Sequence, residues 1–381
     1  MQTLTIAFVA GARPNFPKIA PMLAALRAYP QVTPLLVHTG QHYDPELSSM
    51  FFEDLGISEP DWMLGVGSGS HAQQTAAVMV EFERRCLEQT PDAIVVVGDV
   101  NSTVACALVG AKLHIPVVHV EAGLRSGDRT MPEEVNRLVT DTLADLLYTH
   151  CYEGDDNLRA EGVADERIHM VGNVMIDSLM KVRDRAEAPD LDPEWIIERG
   201  FGLITLHRPA LVDNEASLRP ILAALGRISE SIPLIYPVHP RTLARMKSFG
   251  ILEEDAEPPL ALPGTRVLLT APIRYLQFLW LMDRARLVVT DSGGIQEETT
   301  VLGVPCLTVR ENTERAVTCR EGTNRLLGVD PAVVEAAAAE VLRAPMPDLD
   351  QVPPLWDGNA GERIAEHLVG WLNAKKEAPA G

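Results

Sequence analysis

Residues 287–298, LVVTDSGGIQEE, are the stretch on which the fold reading turns. A short β-branched apolar run, Leu287 to Thr290, reads as a buried parallel strand. It stops at Asp291-Ser292-Gly293-Gly294, and Ile295-Gln296-Glu297-Glu298 then opens a helical pattern. Paired glycines let backbone amides come close to a ligand, and a helix start aims free N–H groups and its positive dipole end at an anion. A diphosphate fits such a place. Glu298 lies about one turn into the helix, where a carboxylate can accept hydrogen bonds from the hydroxyl pair of a sugar. The plain structural alternative is a strand-to-helix turn with Asp291 or Ser292 as N-cap. The rest of the chain decides between them.

Outward from this stretch, strand, turn and helix alternate. The first half carries strands at 3–9, 33–38, 93–97, 116–120, 146–149 and 167–171, with helices such as 73–88 and 102–113 between them. After a break near 173–196 the pattern restarts with strands at 202–206, 233–238, 266–270, 286–290 and 305–309. Elements of these lengths imply βαβ units, and hence an α/β protein of two doubly wound parallel-sheet domains. The expected division is 1–172 and 173–358, with a last amphipathic segment, 359–372, packing back on the first domain. Both halves begin alike. One first strand ends at Gly11-Ala12-Arg13-Pro14 and the other at Leu206-His207-Arg208-Pro209. Each places a cation at the carboxyl edge of its sheet, where open α/β sheets bind ligands. Two such sheets facing a central cleft would bring ligand groups to both walls.

Composition bounds the function. At 381 residues the chain exceeds one comfortable core. A net charge of −20 argues against a nucleic-acid partner, yet leaves room for a small anion held by local cations. No apolar run approaches the length of a bilayer span, so no membrane partner is expected. The opening MQTLTIAFVAGARPNF reads as a first strand and not as a secretion signal. The five cysteines form no CxxC pair and several sit in apolar runs, which suits buried thiols in a reducing cytoplasm. Neither first strand runs into a dinucleotide fingerprint, and Gly65 to Ser70 reads as a loop. No cofactor and no metal site is expected.

Three carboxylates stand at element ends in the first half. Asp99 follows the strand AIVVV, Glu121 follows PVVHV, and Glu133 lies just inside a helix start in PEEVNR. Alone, each has a structural role available: Asp99 as an N-cap, Glu121 as partner of Arg125, Glu133 as complement to the helix dipole. Residues that directly follow adjacent parallel strands share one edge, so Asp99 and Glu121 are expected as neighbours. Clustered carboxylates raise one another's pKa, which suits acid/base work near neutral pH. Arg13, Lys18, His207 and Arg315, together with the DSGG turn, form a candidate diphosphate clamp.

These segments resemble the non-hydrolysing UDP-N-acetylglucosamine 2-epimerase family. The likeness runs through GARPNFPKIAPM, TGQHYD, SGSHAQQTA, GDVNSTVACAL, HVEAGLRSGDRTMPEEVNR, TLHRP, TDSGGIQEE, GVPCLTVRENTER and EGTNRL, in that order. The resemblance implies two Rossmann-like domains of the glycosyltransferase B (GT-B) type, with a UDP-sugar between them. It implies interconversion of UDP-GlcNAc and UDP-ManNAc by elimination of UDP to 2-acetamidoglucal and re-addition, in the cytoplasm, by a homodimer. Carried over by motif, Asp99, Glu121 and Glu133 match the catalytic carboxylates and His207 the active-site histidine. Arg13, Lys18, Ser292, Gly293, Gly294, Glu298 and Arg315 match nucleotide contacts, and Phe278 is expected over the uracil. Gln41 and His42 match the region where some bacterial members bind a second, regulatory UDP-GlcNAc. Ala210-Leu211, Ala316 and Ile273 depart from the pattern usual at those places. The alternatives are a hydrolysing relative that releases UDP and free ManNAc, an epimerase of a modified UDP-HexNAc, a glycosyltransferase of the same fold, and a catalytically idle nucleotide-sugar sensor.

Overall fold

The computed structural model describes residues 3–40, 52, 54–197, 199–347 and 352–377. They fall into two compact units, Met1–Val182 with Pro354–Gly381, and Arg183–Pro353. The first holds a parallel sheet of β1 (Leu4–Ala10), β2 (Val32–His38), β3 (Trp62–Met63), β4 (Ala93–Val97), β5 (Val117–Val120), β6 (Leu146–Thr149) and β7 (Ile168–Met170). Their order is β3-β2-β1-β4-β5-β6-β7. The second unit holds β8 (Gly202–Thr205), β9 (Leu234–Pro237), β10 (Leu260–Ala261), β11 (Val267–Thr270), β12 (Leu287–Thr290), β13 (Cys306–Thr308) and β14 (Asn324–Leu326). Their order is β10-β11-β9-β8-β12-β13-β14, with only the edge strand β10 antiparallel. In each sheet the strand order reverses beside the first strand, between β1 and β4 and between β8 and β12. That switch point is where doubly wound sheets leave a crevice at the carboxyl ends of their strands.

The sheets form because their strands are apolar on both faces. All five residues of AIVVV in β4 are buried, and β1 alternates Leu4, Ile6 and Phe8 against one core with Ala7 and Val9 against another. Helix Phe16–Leu26 and the terminal helix Ala360–Glu377 share the first of these cores. Gly361 permits the close approach, since a Cβ there would stand 2.8 Å from the backbone of Pro21. Asp177 fixes the terminal helix at its start, accepting the backbone N–H groups of Ala360 (3.1 Å) and Gly361 (2.7 Å).

The eleven strands expected from sequence are present, each with ends within one residue. Three others, β3, β10 and β14, are two or three residues long and carry no apolar run to announce them. The expected break at 173–196 is corrected in part: it contains the helix Val174–Arg183, which buries Val174, Met175, Ile176, Leu179 and Val182. Among the described residues no helix is long and apolar enough to cross a membrane.

Candidate active site

In the first unit the acids gather at the switch-point edge. Strand β4 turns at Gly98, whose φ is +66°, and hands the chain to Asp99 and the helix Asn101–Leu113. The neighbouring β5 ends in Glu121, a non-glycine residue with φ +67°. Left-handed backbone at such a residue costs on the order of 1 kcal/mol and persists only where the surroundings enforce it. Glu121 is buried, and its carboxylate pairs with the ammonium of Lys18 from helix Phe16–Leu26. A Cβ on Gly98 would stand 3.1 Å from the Lys18 Nζ and 3.5 Å from the Glu121 Oε2. Glycine at this turn therefore lets the chain pass beside the ion pair, and it brings the Asp99 turn and Glu121 together.

Helix Pro132–Leu143 supports both turns. Arg137, buried at 1% exposure, donates through Nη1 to Asp99 Oδ2 at 2.5 Å and through Nε and Nη2 to Glu134 Oε2 at 2.9 and 2.7 Å. Asn136 donates to the Asp99 carbonyl at 2.9 Å. Glu134 also accepts the backbone N–H groups of Ser126 and Gly127, at 3.0 and 2.9 Å. Burial works against its charge, but these donors and the Arg137 guanidinium hold its carboxyl below the usual range. The two adjacent glutamates thus differ. Glu134 is committed to structure, whereas Glu133 is partly exposed. Arg13 opens the 3-10 turn Arg13–Asn15 at the end of β1. Asn15 closes that turn, accepting Gly11 N–H and Ala12 N–H at 3.0 and 2.9 Å.

In the second unit the edge is cationic. Asp291, fully buried after β12, accepts the backbone N–H of His207 (2.9 Å) and of Arg208 (2.8 Å). The His207 Nδ1 lies 3.2 Å from Asp291 Oδ1, and the ring is 42% exposed. Arg208 donates to the Asp291 carbonyl at 2.8 Å. Glu314 stands among three arginines: Arg310 at 2.8 Å, Arg315 at 2.5 Å and Arg208 at 3.9 Å. Burial alone would raise its carboxyl, but Arg315 and Arg310 drive it well below the usual range. Helix Gly293–Leu302 starts against this cluster with no side-chain cap on its first N–H groups. A Cβ on Gly293 would stand 2.9 Å from Arg315 Nε and 3.0 Å from Glu314 Oε1, so a larger residue would have to displace those side chains. Ser292 precedes it, held through its N–H to Thr290 Oγ1 at 2.9 Å. Glu297 lies 3.4 Å from Arg315 Nε, so three guanidiniums and two carboxylates meet beside the helix start, a setting that suits an anion.

Glu298, in the second turn of that helix, accepts a hydrogen bond from the Tyr275 hydroxyl at 2.7 Å. Desolvation pushes its carboxyl up to about 7, the Tyr275 hydrogen bond opposing. The second unit also holds a pocket of about 230 Å³, lined by Thr205, His207, Pro237, His239, Ile273 and Phe278. Its apolar walls and flat ring suit a planar base. Gln41 and His42 lie outside the described residues. Sequence reasoning passed over Arg137, Arg208, Arg310, Glu314 and Tyr275 as site builders, and took Asp291 only as part of the DSGG turn. Spacing marked two of them: Arg137 three residues after Glu134, and Glu314 four after Arg310.

Two doubly wound sheets, one edged with Asp99 and Glu121 and the other with arginines at a glycine-rich helix start, define a nucleotide-sugar enzyme of the GT-B type. A family model described as UDP-N-acetylglucosamine 2-epimerase matches residues 24–369. The chain belongs to that family. The UDP-N-acetylglucosamine 2-epimerase of Methanococcus maripaludis is 36% identical over 371 residues, 96% of this chain and 98% of that relative. The UDP-2,3-diacetamido-2,3-dideoxy-D-glucuronate 2-epimerase of Pseudomonas aeruginosa is 38% identical, covering 97% of this chain and 99% of its own. The Methanocaldococcus jannaschii UDP-GlcNAc 2-epimerase, solved in complex with UDP-GlcNAc and UDP, superposes with a TM-score of 0.85 at 35% identity, covering 96% of this chain and 100% of that one.

Proposed function

We propose that the protein interconverts UDP-GlcNAc and UDP-ManNAc without hydrolysis. The observation that carries the reading is the acid edge of the first unit, where the Asp99 turn and Glu121 adjoin and a buried arginine and lysine hold them. Inversion at C2 through elimination needs a base to take the C2 proton, an acid to return one on the other face, and a grip on the departing UDP. Asp99, Glu121 and Glu133 are the acid/base groups in this reading. Lys18 holds the Glu121 carboxylate in place. Arg13, His207, Arg315 and the Ser292-Gly293-Gly294 helix start take the diphosphate, Glu298 the ribose, and Phe278 the uracil. Gln41 and His42 are assigned a regulatory UDP-GlcNAc. The chemistry requires no cofactor.

The test is incubation with UDP-GlcNAc in D₂O, followed by NMR. UDP-ManNAc carrying deuterium at C2 is the expected product. Free ManNAc with UDP would identify a hydrolase and overturn the reading. A second reading is favoured by the identity to the Pseudomonas aeruginosa relative: the hexosamine carries further substituents. A panel with UDP-2,3-diacetamido sugars separates the two by kcat/KM.

We also propose a homodimer acting in the cytoplasm. Val80 and Leu87 on helix His71–Glu88, and Val135 on helix Pro132–Leu143, are exposed. Val135 also lines a groove of about 520 Å³, with Ala72, Thr75, Ala76, Met79 and Pro132. Five free thiols, four of them buried, suit a reducing compartment.

A further inference from the structure

The first unit contains a buried polar pair that touches both acid-bearing turns and that no part of the proposed chemistry uses. His119 on β5 is fully buried. Its Nδ1 lies 2.6 Å from Asp141 Oδ1, and its Nε2 lies 2.9 Å from the carbonyl oxygen of Gly98. The other carboxylate oxygen of Asp141 accepts the backbone N–H of Gly123 at 3.1 Å and pairs with Arg125 Nη2 at 2.7 Å. One side chain on helix Pro132–Leu143 thereby holds two turns. Through the imidazole it fixes the peptide that leads into Asp99, and directly it fixes the turn that follows Glu121.

Those turns need holding. Gly98, Glu121 and Gly123 all have positive φ, at +66°, +67° and +78°. No side chain at Gly123 would relieve the turn, because a Cβ there would stand 2.3 Å from the Gly154 carbonyl oxygen. Burial pushes the Asp141 carboxyl up, but His119 and Arg125 hold it below the usual range. The imidazole of His119 thus stands between this carboxylate and the Gly98 carbonyl oxygen.

We propose that Asp141 is the positioning residue of the acid/base machinery, locking the Asp99 and Glu121 turns into one body through its bonds to His119 and Gly123. The inference rests on the assignment of Asp99 and Glu121 as acid/base groups. It adds that their relative placement is set from the helix behind them, by a residue that contacts no substrate.

The experiment compares wild type with Asp141→Asn, His119→Gln and the double variant. Glu161→Gln, which removes the outer partner of Arg125, is the control. Thermal melting and UDP calorimetry accompany turnover for each. For folded Asp141→Asn, kcat is expected to fall ten- to a hundred-fold with UDP affinity within twofold of wild type. Misplacing one acid relative to the other strands the eliminated intermediate, so the ratio of released UDP and glycal to epimerised product is expected to rise. The double variant is expected to be within twofold of Asp141→Asn, since both changes break one chain of bonds. Glu161→Gln is expected to keep wild-type kcat. A folded Asp141→Asn with wild-type kcat and product ratio overturns the proposal. Should that variant fail to fold, His119→Gln carries the decision by the same ratio. A wild-type protein that gives no C2 exchange on any UDP-HexNAc refutes the functional reading itself. The Asp141 lock would then still be visible or absent in the downfield imidazole N–H resonances of His119.

Discussion

Glu298 sets the sharpest chemical expectation at the scale of single residues. Its carboxyl, raised to about 7 by burial, is the group that the proposal gives to the ribose. Ribose hydroxyls donate hydrogen bonds, and donors favour the ionised form. UDP binding below pH 7 is therefore expected to release a proton. Calorimetry at pH 6.5 in two buffers of different ionisation enthalpy would give different apparent enthalpies, and Glu298→Gln would abolish the difference. The same shift affects stability. Because the folded value lies above the unfolded one, the stabilising contribution is complete below the ordinary carboxyl range and is lost as pH rises toward 7. Glu298→Gln is then expected to stabilise the empty protein at pH 8 by on the order of 2 kcal/mol, with little effect at pH 4. This residue was legible because it lies one turn past a Gly-Gly helix start. Asp99 and Glu121 were legible for a like reason, each directly following an apolar run. Asp141 was not: its partner His119 lies 22 positions away, and pairing over such a separation leaves no periodic mark.

Among the elements, strands were the most readable. Parallel strands covered on both faces must be continuous apolar runs, and β4, β5, β6 and β12 are buried throughout. Edge strands such as β3, β10 and β14 need no such run, and their pairing is decided by neighbours. Helix Val174–Arg183 was hidden because its polar residues Asp177 and Ser178 interrupt the apolar pattern while being buried for other reasons. Asp177 serves the terminal helix, and Ser178 donates to the Pro17 carbonyl. Asp177→Asn keeps one acceptor and loses the charge that faces the start of helix Ala360–Glu377. The expected result is a loss of about 1–2 kcal/mol in global stability. Hydrogen exchange is expected to quicken selectively in residues 360–377. Uniform exchange across the first unit would show the helix docked by its apolar face alone.

For the whole molecule, the strong negative charge opposes self-association at low salt, so a dimer has to rest on local apolar contact. Val80→Asp combined with Leu87→Asp is expected to convert a dimer to a monomer in light scattering, with each unit's melting preserved. An unchanged mass would place the contact elsewhere. The terminal helix carries a different consequence. The core it completes was begun by β1, hundreds of residues upstream, so the second unit is an insertion within the first. During synthesis the first sheet emerges early but stays open along the flank of helix Phe16–Leu26 until residues 360–377 have been made. The inserted unit, contiguous in the chain, can finish before the unit that precedes it. Premature termination between residues 183 and 360 would thus leave the first unit with an exposed apolar flank along helix Phe16–Leu26, a product for proteases and not a weak enzyme.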